Sequence, residues 1–153
     1  MKLKEMKIIG WREWIALPEL KINSIKVKVD TGARTSSLHA FDVEKYLKDG
    51  IEYIKFKVHP EQGNIRKTVI CHAPVVDYRK IKSSNGQSEL RPVILTTITL
   101  LGEKWSTEVT LTNRDEMGFR MLLGRASIKK KFLVNSGNSF YSLKNTKTLG
   151  RKS

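Results

Sequence analysis

Ile22-Asn23-Ser24-Ile25-Lys26-Val27-Lys28-Val29 runs straight into Asp30-Thr31-Gly32-Ala33. Ile25, Val27 and Val29 fall two apart with polar residues between them, the pattern of a strand with one face in water. The strand delivers a carboxylate onto a tight turn, where Gly32 leaves room for close backbone approach. Such a turn holds an Asp rigidly, with the Thr31 hydroxyl bonding neighbouring backbone. Two carboxylates about 3 Å apart cannot both ionise; they share a proton, and the pair activates water as base on one side and acid on the other. A lone Asp-Thr-Gly is equally a turn whose Asp satisfies backbone donors, so the tripeptide needs support from the rest of the chain.

The surrounding chain has 153 residues, 39% hydrophobic and 29% charged, enough for one domain with a real core. We expect a single domain over 1–153, with an ordered core of about 8–143 and a basic tail, 144–153, that frays. Lys and Arg number 29 against 15 Asp and Glu, a formal net charge of +14. Cys71 is the only cysteine, which excludes an internal disulfide. Met1-Lys2-Leu3-Lys4-Glu5 opens no apolar run of signal-peptide length, and Lys or Arg interrupts every hydrophobic stretch before the roughly 20 residues a bilayer crossing needs. These features predict a cytoplasmic protein without membrane association.

Outward from the Asp30 turn, the alternation predicts strands at Ile8–Trp11, Trp14–Leu17 closed by Pro18, Ser37–Phe41, Ile51–Val58, Thr68–Val76, Pro92–Leu100, Lys104–Thr112, Met121–Gly124, Phe132–Val134 and Phe140–Leu143. Asp42 is a good N-cap for a short helix through Lys48 that Gly50 stops, and Arg125–Lys131 forms one helical turn or two. Asn85-Gly86, between Lys80-Ile81-Lys82 and Glu89-Leu90, predicts a projecting type I′ hairpin. The fold class expected is mostly β, an antiparallel barrel or sandwich with one or two short helices.

A second element supports the Asp30 turn: Met121-Leu122-Leu123-Gly124-Arg125, an apolar strand ending in Gly-Arg before a short helix. Together the two resemble the retropepsin-like aspartic proteases, and more closely the bacterial retropepsin-like endopeptidase family formerly labelled an ATP-dependent zinc protease and associated with ligases of the RimK type. The resemblance rests on Gly10-Trp11-Arg12-Glu13, Val29 to Ser36, Lys82 to Gln87, Arg91-Pro92-Val93-Ile94 and Leu122-Leu123-Gly124-Arg125, over about residues 10 to 134. It implies an acid-protease barrel in which Asp30 is catalytic and Thr31 and Gly32 support it. Leu123, Gly124 and Arg125 then stand behind the loop, while Ala33, Arg34, Asn85 and Gly86 meet substrate. The Lys82–Leu90 hairpin takes the place of a flap, and Ile51–Tyr78 is an insertion relative to the minimal retroviral enzymes. Arg34 stands near where those enzymes carry acidic residues.

Only one Asp-Thr-Gly is present, and Asp42, Asp49, Asp77 and Asp115 lack its flanking residues, so a complete site requires a homodimer with two Asp30 loops on the two-fold axis. The function expected is hydrolysis of peptide bonds in a peptide or protein substrate, without cofactor. Acidic peptides are the suggested class, because relatives are encoded near glutamate-adding ligases and Arg34 suits anionic side chains; Glu13 and Glu44 are its alternative, internal partners. Three rival readings remain. Zinc would need ligands from His39, His59, Cys71 and His72, yet no His-Glu-x-x-His is present, Cys71 and His72 point to opposite faces of a strand, and His39 packs better beside the Asp30 loop. The basic residues after Glu116 suggest a nucleic-acid or ribosome surface, although Trp11, Trp14 and Trp105 sit where core packing claims them. A catalytically silent peptide- or polyanion-binding module linked to such ligases or to the ribosome is the third.

Overall fold

Period-two patterning dominates the chain, and the computed structural model, which describes residues 5–61, 66–82, 85–114 and 118–143, is built almost wholly of strands. In order these are β1 (Lys7–Gly10), β2 (Arg12–Leu17), β3 (Ile22–Asp30), β4 (Ser36–His39), β5 (Phe41–Lys48), β6 (Ile51–Val58), β7 (Val69–Lys82), β8 (Ser88–Leu100), β9 (Glu103–Thr112), β10 (Met121–Gly124) and β11 (Phe132–Asn135). A 3₁₀ turn at Pro18–Leu20 and the single-turn helix α1 (Arg125–Ile128) accompany the strands. Nine strands form one sheet in the order β2-β3-β10-β4-β9-β8-β7-β6-β5, and the pairing of Ala16 with Thr99 brings β2 back onto β8. That pairing closes six strands into a barrel, from which β7, β6 and β5 run out as an antiparallel extension. β1 and β11 make a separate parallel pair.

The inward faces of these strands converge on one apolar core. Ile15, Leu17, Ile25, Val27, Leu38, Ile94, Ile98, Val109 and Leu123 fill the barrel, and Ile54, Phe56, Val58, Cys71 and Ala73 continue it under the extension. Trp105 packs against this core and against Phe132, whereas Trp11 and Trp14 are half-buried on the outside against Phe119 and Phe140. The mostly β, single-domain architecture with short helices therefore matches the patterning; residues 144–153, expected to be a tail, lie outside the described residues.

Three local expectations are corrected. Phe41–Lys48 is a strand, because Asp49 and Gly50 both adopt positive φ (53° and 78°) and Lys48 pairs with Ile51, a two-residue type I′ turn. The Asp-Gly signal outweighs the N-cap at Asp42, which instead occupies a bulge at φ 51° and pairs with Lys57. The Asn85-Gly86 hairpin is not a two-residue turn: Lys82 pairs with Ser88, so residues 83–87 form the connection, with the Gln87 amide donating to Asn85 Oδ1. A second tight type I′ turn lies at Leu101-Gly102, with φ of 50° and 81° between paired Leu100 and Glu103. Residues 141–143 are helical rather than extended.

The last correction has a buried cause. Glu13, fully buried, accepts hydrogen bonds from the backbone of Gly10 (2.7 Å), Tyr141 (2.8 Å) and Ser142 (3.0 Å) and from the Ser142 hydroxyl (2.9 Å). Its carboxylate thus caps the start of a helical turn and ties the β1–β2 corner to residues 140–143. Glu13→Ala should cost about 3 kcal/mol or more in denaturant unfolding, since buried donors lose their acceptor, with Glu13→Gln recovering part. Cys71 gives an independent check: burial pushes its thiol up to about 12 from its usual 9.0. The proton is therefore held more tightly in the folded state, and this contribution to stability is present below pH 9.0 and lost as pH rises through about 12. Iodoacetamide at mildly alkaline pH should label the unfolded chain readily and the native protein at least about a hundredfold more slowly.

Candidate active site

The Asp30 turn sits where two parallel strands end together. β3 and β10 pair Val27–Asp30 with Met121–Gly124, so Asp30 lies opposite Gly124 at the end of the sheet. The carboxylate closes its own turn: Gly32 N–H donates to Asp30 Oδ1 at 3.1 Å, and Ala33 N–H donates to the Asp30 carbonyl at 3.2 Å. A Cβ on Gly32 would stand 3.3 Å from that Oδ1, a tight approach that the carboxylate would have to ease by a few tenths of an ångström. The Thr31 side chain is exposed, and the bond that shapes the turn comes from Asp30 itself rather than from the threonine hydroxyl.

α1 then fastens the loop from behind. Its first amides have no intrahelical acceptors, and they donate instead to loop carbonyls, Arg125 N–H to Ala33 O at 2.8 Å and Ala126 N–H to Arg34 O at 3.0 Å. The Arg125 guanidinium donates to Gly32 O at 3.2 Å, and Gly124 presses so closely that a Cβ there would meet Arg34 and Thr35 backbone at 2.7–2.9 Å. Asp30, Thr31, Gly32, Ala33 and Arg34 are thus brought together with Leu123, Gly124 and Arg125. Glu13, offered as a partner for Arg34, is instead committed to Gly10, Tyr141 and Ser142. Arg34 is exposed and has no carboxylate partner among the described residues; it lines a cleft of about 230 Å³ with Thr35, Arg79, Thr107, Glu108, Ala126 and Ser127. Arg79 in that cleft is held by Glu108 (2.8 Å) and Asp77 (2.9 Å).

The hairpin is placed differently. β4 and β9 run parallel, with Ser36 beside Val109 near Gly124 and His39 beside Thr112 at the other end. The β7–β8 ribbon leaves from the Thr112 end, and its described contacts run from Glu89 to Thr112 (3.2 Å) and from Arg114 to Gln87 (3.4 Å) and Glu89 (3.5 Å). Asn85 and Gly86 are exposed at its tip, and Ser83–Ser84 lie outside the described residues. His39, expected beside the Asp30 loop, is carried to that far end by the parallel register and meets Asn113 O at 3.1 Å. Cys71 points inward and His72 outward to the Tyr46 hydroxyl, and among the described residues no three His, Cys, Asp or Glu side chains converge to hold a metal ion. Arg79 and Glu108 escaped sequence reasoning because nothing local marks a strand residue as facing a cleft 45 or more positions distant in sequence from Arg34. No described helix is long and apolar enough to cross a membrane.

The chain is similar to known proteins over most of its length. Curated relatives named probable alpha-L-glutamate ligase, from Shewanella pealeana and Desulfotalea psychrophila, are 51% and 48% identical over 87% and 84% of this chain. The chain spans only 29% and 28% of those relatives' lengths. The crystal structure of a Legionella pneumophila protein of unknown function matches with TM-score 0.74 and 29% identity, over 89% of this chain and 98% of that one. A family model described as retropepsin-like aspartic endopeptidase RimB matches residues 8–145. With its Asp30 loop seated on the Leu123-Gly124-Arg125 strand end, the chain belongs to the RimB-like family of retropepsin-like aspartic endopeptidases.

Proposed function

We propose that the chain is an aspartic endopeptidase that works as a homodimer, pairing Asp30 of one protomer with Asp30 of its partner. The observation that carries this reading is the seat of Asp30: a carboxylate on a turn at a strand end, fastened from behind by α1 and bonded on its own chain to Gly32 N–H. One such loop per chain is half of the chemistry. In the dimer the two carboxylates share a proton. The charged one takes a proton from water as the water oxygen bonds to the substrate carbonyl carbon, and the protonated one gives its proton to the carbonyl oxygen. The dyad's proton then passes to the amide nitrogen, and as the C–N bond breaks a hydroxyl of the tetrahedral intermediate returns a proton to the other carboxylate, leaving a carboxylic acid, an amine and the dyad in its starting state.

Acidic peptides are the proposed substrates. Arg34 offers an exposed guanidinium in the cleft beside the loop, without a carboxylate of its own among the described residues. The relatives' name, probable alpha-L-glutamate ligase, supports the same class, because a chain that joins glutamate supplies glutamyl peptides to a domain tethered to it. The Lys82–Leu90 ribbon is the proposed substrate cover, with Asn85 and Gly86 at its tip; reaching the Asp30 loop requires it to bend back from the Thr112 end, with Arg114 as its anchor.

Asp30→Asn should reduce hydrolysis of a Glu-rich peptide by at least about a thousandfold without lowering the unfolding midpoint, and sedimentation should show active protein as dimer. Full activity in Asp30→Asn would end the aspartic reading, and a wild-type dimer without hydrolysis would leave the chain a silent binding module. Arg34→Ala should raise KM for Glu-rich peptides about tenfold while leaving neutral peptides unchanged, and the preference for acidic peptides should fall as salt rises. Equal hydrolysis of acidic and neutral peptides at low salt would remove Arg34 from substrate choice.

A further inference from the structure

Behind the Asp30 loop runs a chain of buried hydroxyls that the catalytic reading does not use. Gly124 N–H donates to Ser36 Oγ at 2.9 Å, Ser36 Oγ lies 2.7 Å from Ser127 Oγ, and Ser127 Oγ lies 2.8 Å from Thr107 Oγ1. Ser36 is fully buried and Ser127 is 3% exposed. Burying a hydroxyl is costly unless it is bonded, so the three must be read together. The Ser36 oxygen accepts from Gly124, and the Ser36, Ser127 and Thr107 hydroxyls bond in a row in which either member of each pair can donate; Thr107 at the end of the row lines the cleft with Arg34, Arg79 and Glu108.

This chain fixes an element that cannot fix itself. α1 has only four residues, too few to be stable as an isolated helix. Its N-terminal amides hold the carbonyls of Ala33 and Arg34, and among the described residues the side-chain hydrogen bonds that hold its middle to β4 and β9 all pass through Ser127. A rotation of α1 would therefore move the acceptors on which the Asp30 loop rests. We propose that Ser127 and Ser36 are positioning residues that set the height of the Asp30 loop, transmitting the position of the β9 cleft wall through α1. The effect on rate rests on the peptidase reading above; the mechanical coupling does not.

The test uses the full chain carrying Ser127→Ala, Ser36→Ala, both together, and Ser127→Thr, with two readouts. The first is amide hydrogen exchange. Ser127→Ala should speed exchange at Arg125 and Ala126 about tenfold, while remote core amides such as Ile54 and Phe56 change by less than about twofold. The second is kinetics with a Glu-rich peptide: kcat should fall about tenfold with KM within about twofold, because a misplaced carboxyl impairs reaction more than binding. The double alanine variant should be no worse than the worse single, and Ser127→Thr, which keeps the hydroxyl, should restore both readouts to within about threefold. Unchanged exchange at Arg125 and Ala126, an equal acceleration at every amide, or strictly additive alanine effects would each overturn the proposal. A wild-type chain without Asp30-dependent hydrolysis would sink the peptidase reading alone, and the exchange data would still decide the coupling.

Discussion

The site depends on a backbone contact that admits no side chain: Gly124 lies against the carbonyls and carbons of Arg34 and Thr35, where a Cβ would come within 2.7–2.9 Å. Because that position is bare, β10 can end level with β3 and place α1 under the Asp30 loop. The contact joins segments about 90 residues apart in sequence, so no local turn sets its register. The register comes from β4, which pairs antiparallel with β10 through Leu38 with Met121 and Ser37 with Leu122, and parallel with β9. β10 is buried along its whole length, as expected of a short strand covered on both faces. A displacement of β4 is therefore a displacement of the Asp30 loop, and the Ser36 hydroxyl sits at the point where the two meet.

A second closure works at the opposite edge of the chain's path. β1 and β11 are four-residue strands paired only with each other, too short to be stable as an isolated ribbon. Gly10 lets Asn138 and Ser139 backbone approach within 2.3–2.7 Å of where its Cβ would be, and Glu13 gathers the amides of Gly10, Tyr141 and Ser142. Arg12 lies over the rings of Trp11 and Phe140 at 4.6 and 4.7 Å, covering the same corner from outside. A buried carboxylate with four donors is stable where an unpaired one would not be. The Gly-Trp-Arg-Glu stretch is thus a structural clasp, and the charge of Glu13 is unavailable to Arg34.

What could be read in the sequence follows the range of the interaction. Strand positions set by alternation, such as β3 and β6, were legible because burial of one face is written every second residue. The Asp30 turn and the Leu123-Gly124-Arg125 strand end were legible through resemblance, since each is a weak signal alone. Over Phe41–Lys48 the cap signal of Asp42 and the turn signal of Asp49-Gly50 conflict, and strand pairing with Ile51–Val58 resolves them in favour of the turn. His39 and the cleft residues Arg79 and Glu108 were illegible for a different reason. Their placement follows from strand order and register across the sheet, which pairwise sequence patterns do not contain.

The charge distribution bears on how two such loops could meet. Carboxylates are largely taken up within the fold: Glu103 pairs with Lys7, Asp42 with Lys57, Asp77 and Glu108 with Arg79, and Glu89 with Arg91 and Arg114. Such pairs are mostly exposed and each adds little stability, but they leave the formal +14 concentrated in cations such as Arg34, Arg125 and Lys129. In the proposed dimer this excess acts in two opposed ways. Between protomers it repels, though salt screens charges separated by more than about 8–10 Å. At the two-fold axis a net positive chain favours a pair of carboxylates, whose mutual repulsion is the chief local cost of assembly. Added salt weakens the repulsion between protomers, so the basic composition is compatible with pairing.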